Sequence, residues 1–377
     1  MLPKIRAYID LDAICDNYSE IKKKAGPARV MAIVKADAYG HGAPDVAAAL
    51  CAHGCDLFGV SSVHEARVIR QAGVEADILI LGYTEPEFAD ELVALSLTQT
   101  VIDFETAEKY SEAAVRAGKT MKIHIKLDTG MGRIGFDCRD GAAPVEQIKA
   151  ITSLEGLALE GVFTHFAEAD DPASDFTGLQ FERFLTALDE LKRAGIDPGM
   201  RHAANSGAIL NFPETMLDAV RPGLILYGLY PSPMSERGMP LKAAMSLEAI
   251  VVRAERLKKG EGLSYSRTYF LPEDADIATI AAGYADGYHR GLSNRAEVFI
   301  NQKRAKIRGN ICMDMCMIET SAAVGDIATL FGTRNGCDIT VDELAGILGT
   351  INYELICQVG KRVCRIYCRG GEERFGV

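Results

Sequence analysis

A chain of 377 residues exceeds what one ordinary hydrophobic core supports, so a large domain with a smaller companion is the starting expectation. Its composition, 48% hydrophobic and 25% charged, is that of a globular protein. A net charge of −11 without a strong basic run argues against nucleic acid or an anionic membrane as partner.

The opening "MLPKIRAYIDLD" lacks the apolar core and small-residue cleavage site of a secretory signal, and no apolar run reaches the length of a membrane span. The expected location is therefore the cytoplasm, with the ten cysteines reduced. Cys51 with Cys55, and Cys312 with Cys316, are loosely spaced like metal ligands, but no second pair or convergent histidines accompany them. They read as core thiols, with no metal expected. "AYIDLD" reads as a strand that precedes a helix rather than starting the repeating pattern, and it is expected to pair with the C-terminal part. Lys22-Lys23-Lys24 then ends the first amphipathic segment, where basic residues complement a helix dipole.

From about residue 13 to 230, runs rich in β-branched residues alternate with helical periodicity. The spacing predicts strands at Val30–Lys35, Leu57–Ser62, Asp77–Leu81, Thr98–Ile102, Met121–Asp128, Leu157–His165, Met200–Ala204 and Val220–Tyr227. Helices lie between them: Phe181, Phe184, Leu185, Leu188 and Leu191 form one apolar stripe, and Ala107, Tyr110, Ala114 and Ala117 another. Gly54, Gly73, Gly118 and Gly195 end such helices, where a left-handed residue is wanted. Eight β and α units predict a (β/α)8 TIM-type barrel, with a doubly wound open sheet as the alternative. After Pro231 the runs are strand-like, and only "TVDELAGILG" reads as a clear helix. The expected division is a barrel over 11–236 and a mostly β C-terminal domain over 237–377, joined by the N-terminal strand 1–10.

In a barrel, reactive groups collect at the C-terminal ends of the strands. Lys35 ends the first. "KLDTGMGRIG" ends the fifth and offers Lys126, Asp128 and Arg133. His165 ends the sixth in "VFTHFAE". Asn205 and Ser206 of "HAANSGA" open a helix after the seventh, and Arg221 and Gly223 of "RPGLILYG" come at the eighth. A helix start at Ser206 beside the small Gly223 suits a phosphate, held by backbone N–H groups and the dipole. With no G-x-G-x-x-G and no P-loop lysine, a dinucleotide or nucleoside triphosphate is unsupported. A small phosphorylated cofactor together with an amine in an apolar setting points to pyridoxal 5′-phosphate held as a Schiff base on Lys35.

Beyond single residues, "AIVKADAYGHG", "KLDTGMGRIGF", "HAANSGA", "VRPGLILYG", "SYSRTY", "AAGYADGYHRGL", "GNICMDM" and "TINYEL" together resemble the motifs of bacterial alanine racemase, in that family's order and over nearly the whole length. The resemblance implies a pyridoxal-phosphate barrel followed by a β domain, working as a head-to-tail homodimer. It makes Lys35 both the cofactor lysine and one of two catalytic bases. Tyr39, Asn205, Ser206, the Gly223 and Leu224 backbone and Tyr353 surround the phosphate end of the cofactor. Arg221 hydrogen-bonds the pyridine nitrogen and His165 supports Arg221. A guanidinium there leaves the nitrogen unprotonated, which weakens the ring as an electron sink and favours return of a proton over transamination. Arg133 reaches the cofactor's phenolic oxygen and the substrate carboxylate. Lys126 corresponds to a lysine that CO2 carbamylates, and the carbamate positions Arg133.

Racemisation needs a base on each face of a planar intermediate. The resemblance supplies the second as Tyr265 of the partner subunit, with Met313 and Asp314 of the partner subunit at the substrate carboxylate. Tyr284 and Tyr353 narrow the access passage. Ser266 departs from the family, which has glycine after the catalytic tyrosine. The implied activity interconverts L- and D-alanine, the latter a peptidoglycan precursor. The rival readings are a serine or broad-spectrum racemase of the same fold, disfavoured by crowding at Tyr353, and a non-catalytic pyridoxal-phosphate carrier, which lacks a β domain.

Overall fold

The computed structural model describes residues 3–376, so the outermost ends of the expected domains, Met1, Leu2 and Val377, lie outside the described residues. The chain divides into two compact units. One comprises Cys15–Ala38 and Ala43–Lys242; the other takes in the N-terminus as far as Ile14, the short segment Tyr39–Gly42, and everything from Ala243 onward.

The first unit is a closed ring of parallel strands. Arg29–Val30 and Ala32–Ile33 act as a single strand interrupted at Met31, followed by Leu57–Val60, Asp77–Ile80, Thr98–Val101, Met121–Asp128, Leu157–Phe163, Met200–His202 and Ala219–Val220. Closure is made by the split strand: Val30 pairs with Val220 while Ala32 pairs with Phe58. Ile78, Ile80, Ile123 and Ile125 are fully buried, each burial stabilising the fold by about 1.5–3 kcal/mol. The intervening helices are capped as their sequences suggest. Asp103 accepts from the Thr106 backbone N–H at 2.8 Å to start Phe104–Arg116, and Gly118 beyond its end has φ +61°.

Most strands end one or two residues sooner than hydrophobicity suggests, and the last ends much sooner. Val220 is followed by Arg221, by Pro222, which lacks an N–H for a ladder, and by Gly223, after which Leu224–Tyr227 is a 3-10 turn rather than strand. The first strand stops at Ile33, so Lys35 comes after it instead of ending it. In the helix Asp175–Arg193 the inward face is Thr177, Gln180, Phe184, Ala187, Leu188 and Leu191, while Leu185 is exposed. Two polar residues therefore displace part of the predicted apolar stripe.

The second unit is antiparallel. Met245–Leu257, Ala275–Ile280, Cys316–Glu319, Lys303–Arg308, Glu297–Ile300 and Ile327–Phe331 pair in that cyclic order, and Met245–Leu257 bonds both Ala275–Ile280 and Ile327–Phe331 to close the circle. The N-terminal strand Ile5–Asp10 extends it, antiparallel to Met245–Leu257 and parallel to Cys364–Arg369. Besides Val341–Leu348, the segment Asn352–Cys357 of "INYELIC" is also helical, a turn too short for its periodicity to register. The segment Tyr39–Gly42 packs here because Gly40, at φ +82°, lets its Cα sit where a Cβ would lie 2.2 Å from the Ile356 carbonyl oxygen. No described helix is long and apolar enough to cross a membrane.

Candidate active site

In the strand Met121–Asp128, alternation puts His124, Lys126 and Asp128 on one face, and all three are buried. Asp128 closes the loop at the strand's end: its Oδ1 accepts from the Gly130 and Gly132 N–H groups, each at 3.0 Å. Arg133, directly after Gly132, is exposed on that loop. Lys126 Nζ lies 5.7 Å from the Phe163 ring centroid, and the same ring has Arg221 Cζ at 5.4 Å. Burial, then the neighbouring charges of Arg133 and Arg221, push the Lys126 amine down to about 7.

Arg221 is almost fully buried and heavily used. Nη2 donates to the carbonyls of Thr164 (2.8 Å) and Ala203 (2.9 Å) and lies 3.3 Å from His165 Nδ1. Nη1 donates to His202 Nδ1 at 2.9 Å. Because that nitrogen must accept, the His202 proton sits on Nε2, which points at His124 Nδ1 2.8 Å away. The chain of donors is thus fixed by the arginine, and it requires His202 to be neutral. Burial and the Arg221 charge push His165 and His202 well below the usual histidine range, and His124 down to about 3. Burial lowers Arg221 itself only to about 9, so its charge persists at neutral pH. Among the described residues no acceptor reaches its Nε.

On the seventh-strand side, Asn205 caps the short helix Ser206–Asn211 by accepting from the Ala208 N–H at 3.0 Å. Buried Ser206 accepts from the Gly223 N–H at 2.9 Å, which leaves its own hydroxyl proton to donate elsewhere. Leu224 begins the 3-10 turn, whose first N–H groups have no partner within the turn. Lys35 is half-buried and opens an unusual stretch: Ala36, Asp37, Ala38 and Tyr39 all have φ between 52 and 54°. Left-handed backbone costs non-glycine residues about 1–2 kcal/mol each.

These groups fit pyridoxal phosphate. The amine of Lys35 can form an imine, the Arg221 Nε–H can donate to a ring nitrogen, and Ser206 with the Gly223–Leu224 turn can hold a phosphate. No described group of His, Cys, Asp and Glu could hold a metal ion.

In the second unit, Tyr39 and Tyr353 face each other with ring centroids 6.1 Å apart. Tyr265 is 69% exposed, and Tyr284, Met313 and Asp314 are also exposed. The loops of the last three are knitted together: Tyr284 N–H donates to Cys312 O and Ala285 N–H to Met313 O, both at 3.0 Å. Arg362 joins buried Asp286 to Asp314, each at 2.7 Å. Ser266 has φ 60° and ψ 6°, a left-handed conformation that explains why glycine suits this position. His124, His202, Thr164 and Phe163 escaped the sequence reading. The alternation of His124 with Lys126 and Asp128 was the available signal for the first.

Residues 9–231 match the family "Alanine racemase, N-terminal domain" and residues 244–367 match "Alanine racemase, C-terminal domain". The chain is 44% identical over 374 residues to the alanine racemase of Desulforamulus reducens, covering 97% of this chain and 100% of that one. Its fold superposes on the alanine racemase of Clostridium difficile 630 with a TM-score of 0.94 at 36% identity, covering 100% and 99% of the two chains. It also superposes on an alanine racemase from Bartonella henselae with covalently bound pyridoxal phosphate, with a TM-score of 0.86 at 28% identity over 97% and 100% of the chains.

Fold, site and matches together define an isomerase that racemises an amino acid. The chain belongs to the alanine racemase family, whose members depend on pyridoxal phosphate.

Proposed function

We propose that this protein interconverts L- and D-alanine by a two-base mechanism in a cytoplasmic homodimer, with Lys35 on one face of the substrate Cα and Tyr265 of the partner subunit on the other. The observation that carries the reading is the state of Arg221: charged, held by the carbonyls of Thr164 and Ala203 and by a neutral His202, with its Nε unused by the protein.

Pyridoxal phosphate, when bound, supplies the electrophilic carbon that engages an amine and the conjugated ring that spreads the electrons released at Cα. The protein's own side chains decide the outcome. Lys35 would hold the cofactor through its amine, and the same amine would move a proton at Cα. The partner's Tyr265 carries out the same task on the opposite face, because one base cannot reach both. Arg221, charged at neutral pH, would donate to the ring nitrogen and so keep that nitrogen unprotonated. Such a contact would keep electron withdrawal modest and favour return of the proton to Cα, hence racemisation over transamination. His165 sits against Arg221 at 3.3 Å and supports its orientation.

Ser206, the Gly223 and Leu224 backbone, Asn205 through its cap, Tyr39 and Tyr353 would hold the phosphate. Arg133 would supply the cation for the substrate carboxylate, which Met313 and Asp314 of the partner subunit would also contact. Lys126 is suited to capture CO2 as a carbamate, since an amine lowered to about 7 is largely neutral at physiological pH and only the neutral form reacts. Adding CO2 to that neutral amine, with release of a proton, would put an anion beside Arg133 that orients it. Tyr284 and Tyr353 narrow the passage to the site and favour a small side chain.

The test is a chiral assay of purified holoenzyme on L-alanine, D-alanine and L-serine in D2O, with borohydride labelling alongside. Racemisation with deuterium entering Cα, and label on Lys35, support the reading. Label on any other lysine, or preferred turnover of serine, overturns it.

A further inference from the structure

We propose that Glu65 is a positioning residue for Lys35, its carboxylate clamping the left-handed turn that aims the lysine; this rests on the role given to Lys35 above. Glu65 lies in the first turn of the helix Val63–Gln71, whose cap Ser62 accepts from the Glu65 N–H at 3.3 Å. Its side chain reaches back past the cap to Ser61. Oε1 accepts from the Ala36 N–H at 2.8 Å, and Oε2 accepts from the Ser61 N–H and the Ser61 hydroxyl, both at 2.8 Å. One carboxylate therefore joins the residue after Lys35 to the end of the neighbouring barrel strand, Leu57–Val60.

Ala36 needs that partner. Four consecutive non-glycine residues at positive φ form a turn that an unconstrained chain abandons, and such strain persists only where the surroundings hold it. Several bonds hold this one, among them a 3.1 Å contact of His41 Nδ1 with the Tyr39 carbonyl oxygen. Ala38 N–H donates to Val34 O at 2.9 Å, Asp37 Oδ1 accepts from the Ala43 N–H at 2.7 Å, and Glu65 takes the Ala36 N–H. Of these, the last grips the residue next to Lys35, and it ties that residue to a different strand. A shift there swings the amine, and misplacing a reacting group by about 1 Å can cost about 100-fold in rate.

The chemistry also requires a carboxylate. Three N–H or O–H groups converge on the two oxygens of Glu65. Glutamine is isosteric but has one acceptor oxygen, so its amide N–H would face either Ala36 or Ser61. A residue wanted only for packing would accept that exchange.

Because Lys35 serves one face of Cα, loosening the clamp should slow proton transfer on that face alone. In Glu65→Gln holoenzyme kcat should fall about tenfold with little change in KM. The primary deuterium isotope effect should rise with one enantiomer of α-deuterated alanine and not with the other, and the pH at which the absorbance of the lysine-bound cofactor titrates should move. Ala36→Gly in the same background should recover about threefold, since glycine takes positive φ without help. Should Glu65→Gln fold poorly, Ser61→Ala removes one of the three donors and should shift the same titration in the same direction by less.

Wild-type isotope effects and an unmoved titration in Glu65→Gln, or no recovery with Ala36→Gly, would overturn the clamp. Borohydride label on a lysine other than Lys35 in the wild type would instead overturn the underlying reading, which separates the two failures.

Discussion

Arg221 Nη1 donates to His202 Nδ1 across 2.9 Å, and this bond fixes the protonation of two histidines in series, His202 and then His124. A cation at the head of the chain at neutral pH leaves no room for a second charge, so the whole run stays neutral behind it. Replacing Arg221 should reach both the chemistry and the histidines.

Arg221→Glu is therefore expected to protonate the ring nitrogen and strengthen the electron sink. Racemisation should fall about 100-fold or more, with a long-wavelength absorbing species during turnover and more transamination per racemisation. Stopped-flow absorbance and product analysis check this. A variant that racemises at the wild-type rate with no such species would place Arg221 away from the ring.

The buried histidines predict a stability profile. His124 is pushed down from an ordinary 6.5 to about 3, so between those values the unfolded chain binds the proton and the folded chain does not. Stability then rises with pH across that window and is lost as pH falls through it. Each such group contributes a slope of about 1.4 kcal/mol per pH unit. His124→Asn should flatten the slope of denaturant-derived stability between roughly pH 4 and 6 by about one proton. An unchanged slope would show that His124 is protonated in the fold.

Lys126 predicts a dependence on CO2. With its amine lowered to about 7, the neutral fraction rises as pH climbs through neutrality. Carbon-13 bicarbonate should give a carbamate resonance that grows with pH over about 6 to 8 and is absent from Lys126→Arg. No resonance at any pH would leave Arg133 without its anion and refute that role.

The placement of several candidate site residues was legible because barrels gather function at strand ends, a rule that depends on periodicity alone. Lys35, Lys126, Asp128 and Arg221 could be found in that way. What periodicity cannot give is backbone hand. The left-handed turn at Ala36–Tyr39 contains no glycine until Gly40, so nothing local announces it; the conformation is imposed by bonds such as that from Ala36 to Glu65, 29 residues away. Hydrophobicity likewise overran the eighth strand, because "LILY" is buried whether extended or coiled into a 3-10 turn. Gln180 escaped for the reverse reason. A polar residue on the inward face of a helix reads as an error in the stripe until its bonds to the Ala167 N–H and the His165 carbonyl are seen, at 2.8 and 3.1 Å.

Ser266 offers a local test. At φ 60° a serine is strained where glycine is not, although glycine also loses more freedom on folding. Ser266→Gly is expected to raise stability by about 0.5–1 kcal/mol, read from the denaturant midpoint. A lower midpoint would mean that the serine side chain holds the turn.

The most direct test of a shared site mixes two crippled variants. Lys35→Ala and Tyr265→Phe should each be nearly inactive as homodimers, since every site lacks one base. Unfolded together and refolded, about half of the dimers are mixed, and each mixed dimer has one site with both bases intact, so activity should return to about a quarter of wild type. If both bases came from one chain, no mixture could rebuild a site, and activity confined to background would contradict a racemase whose sites are shared between subunits.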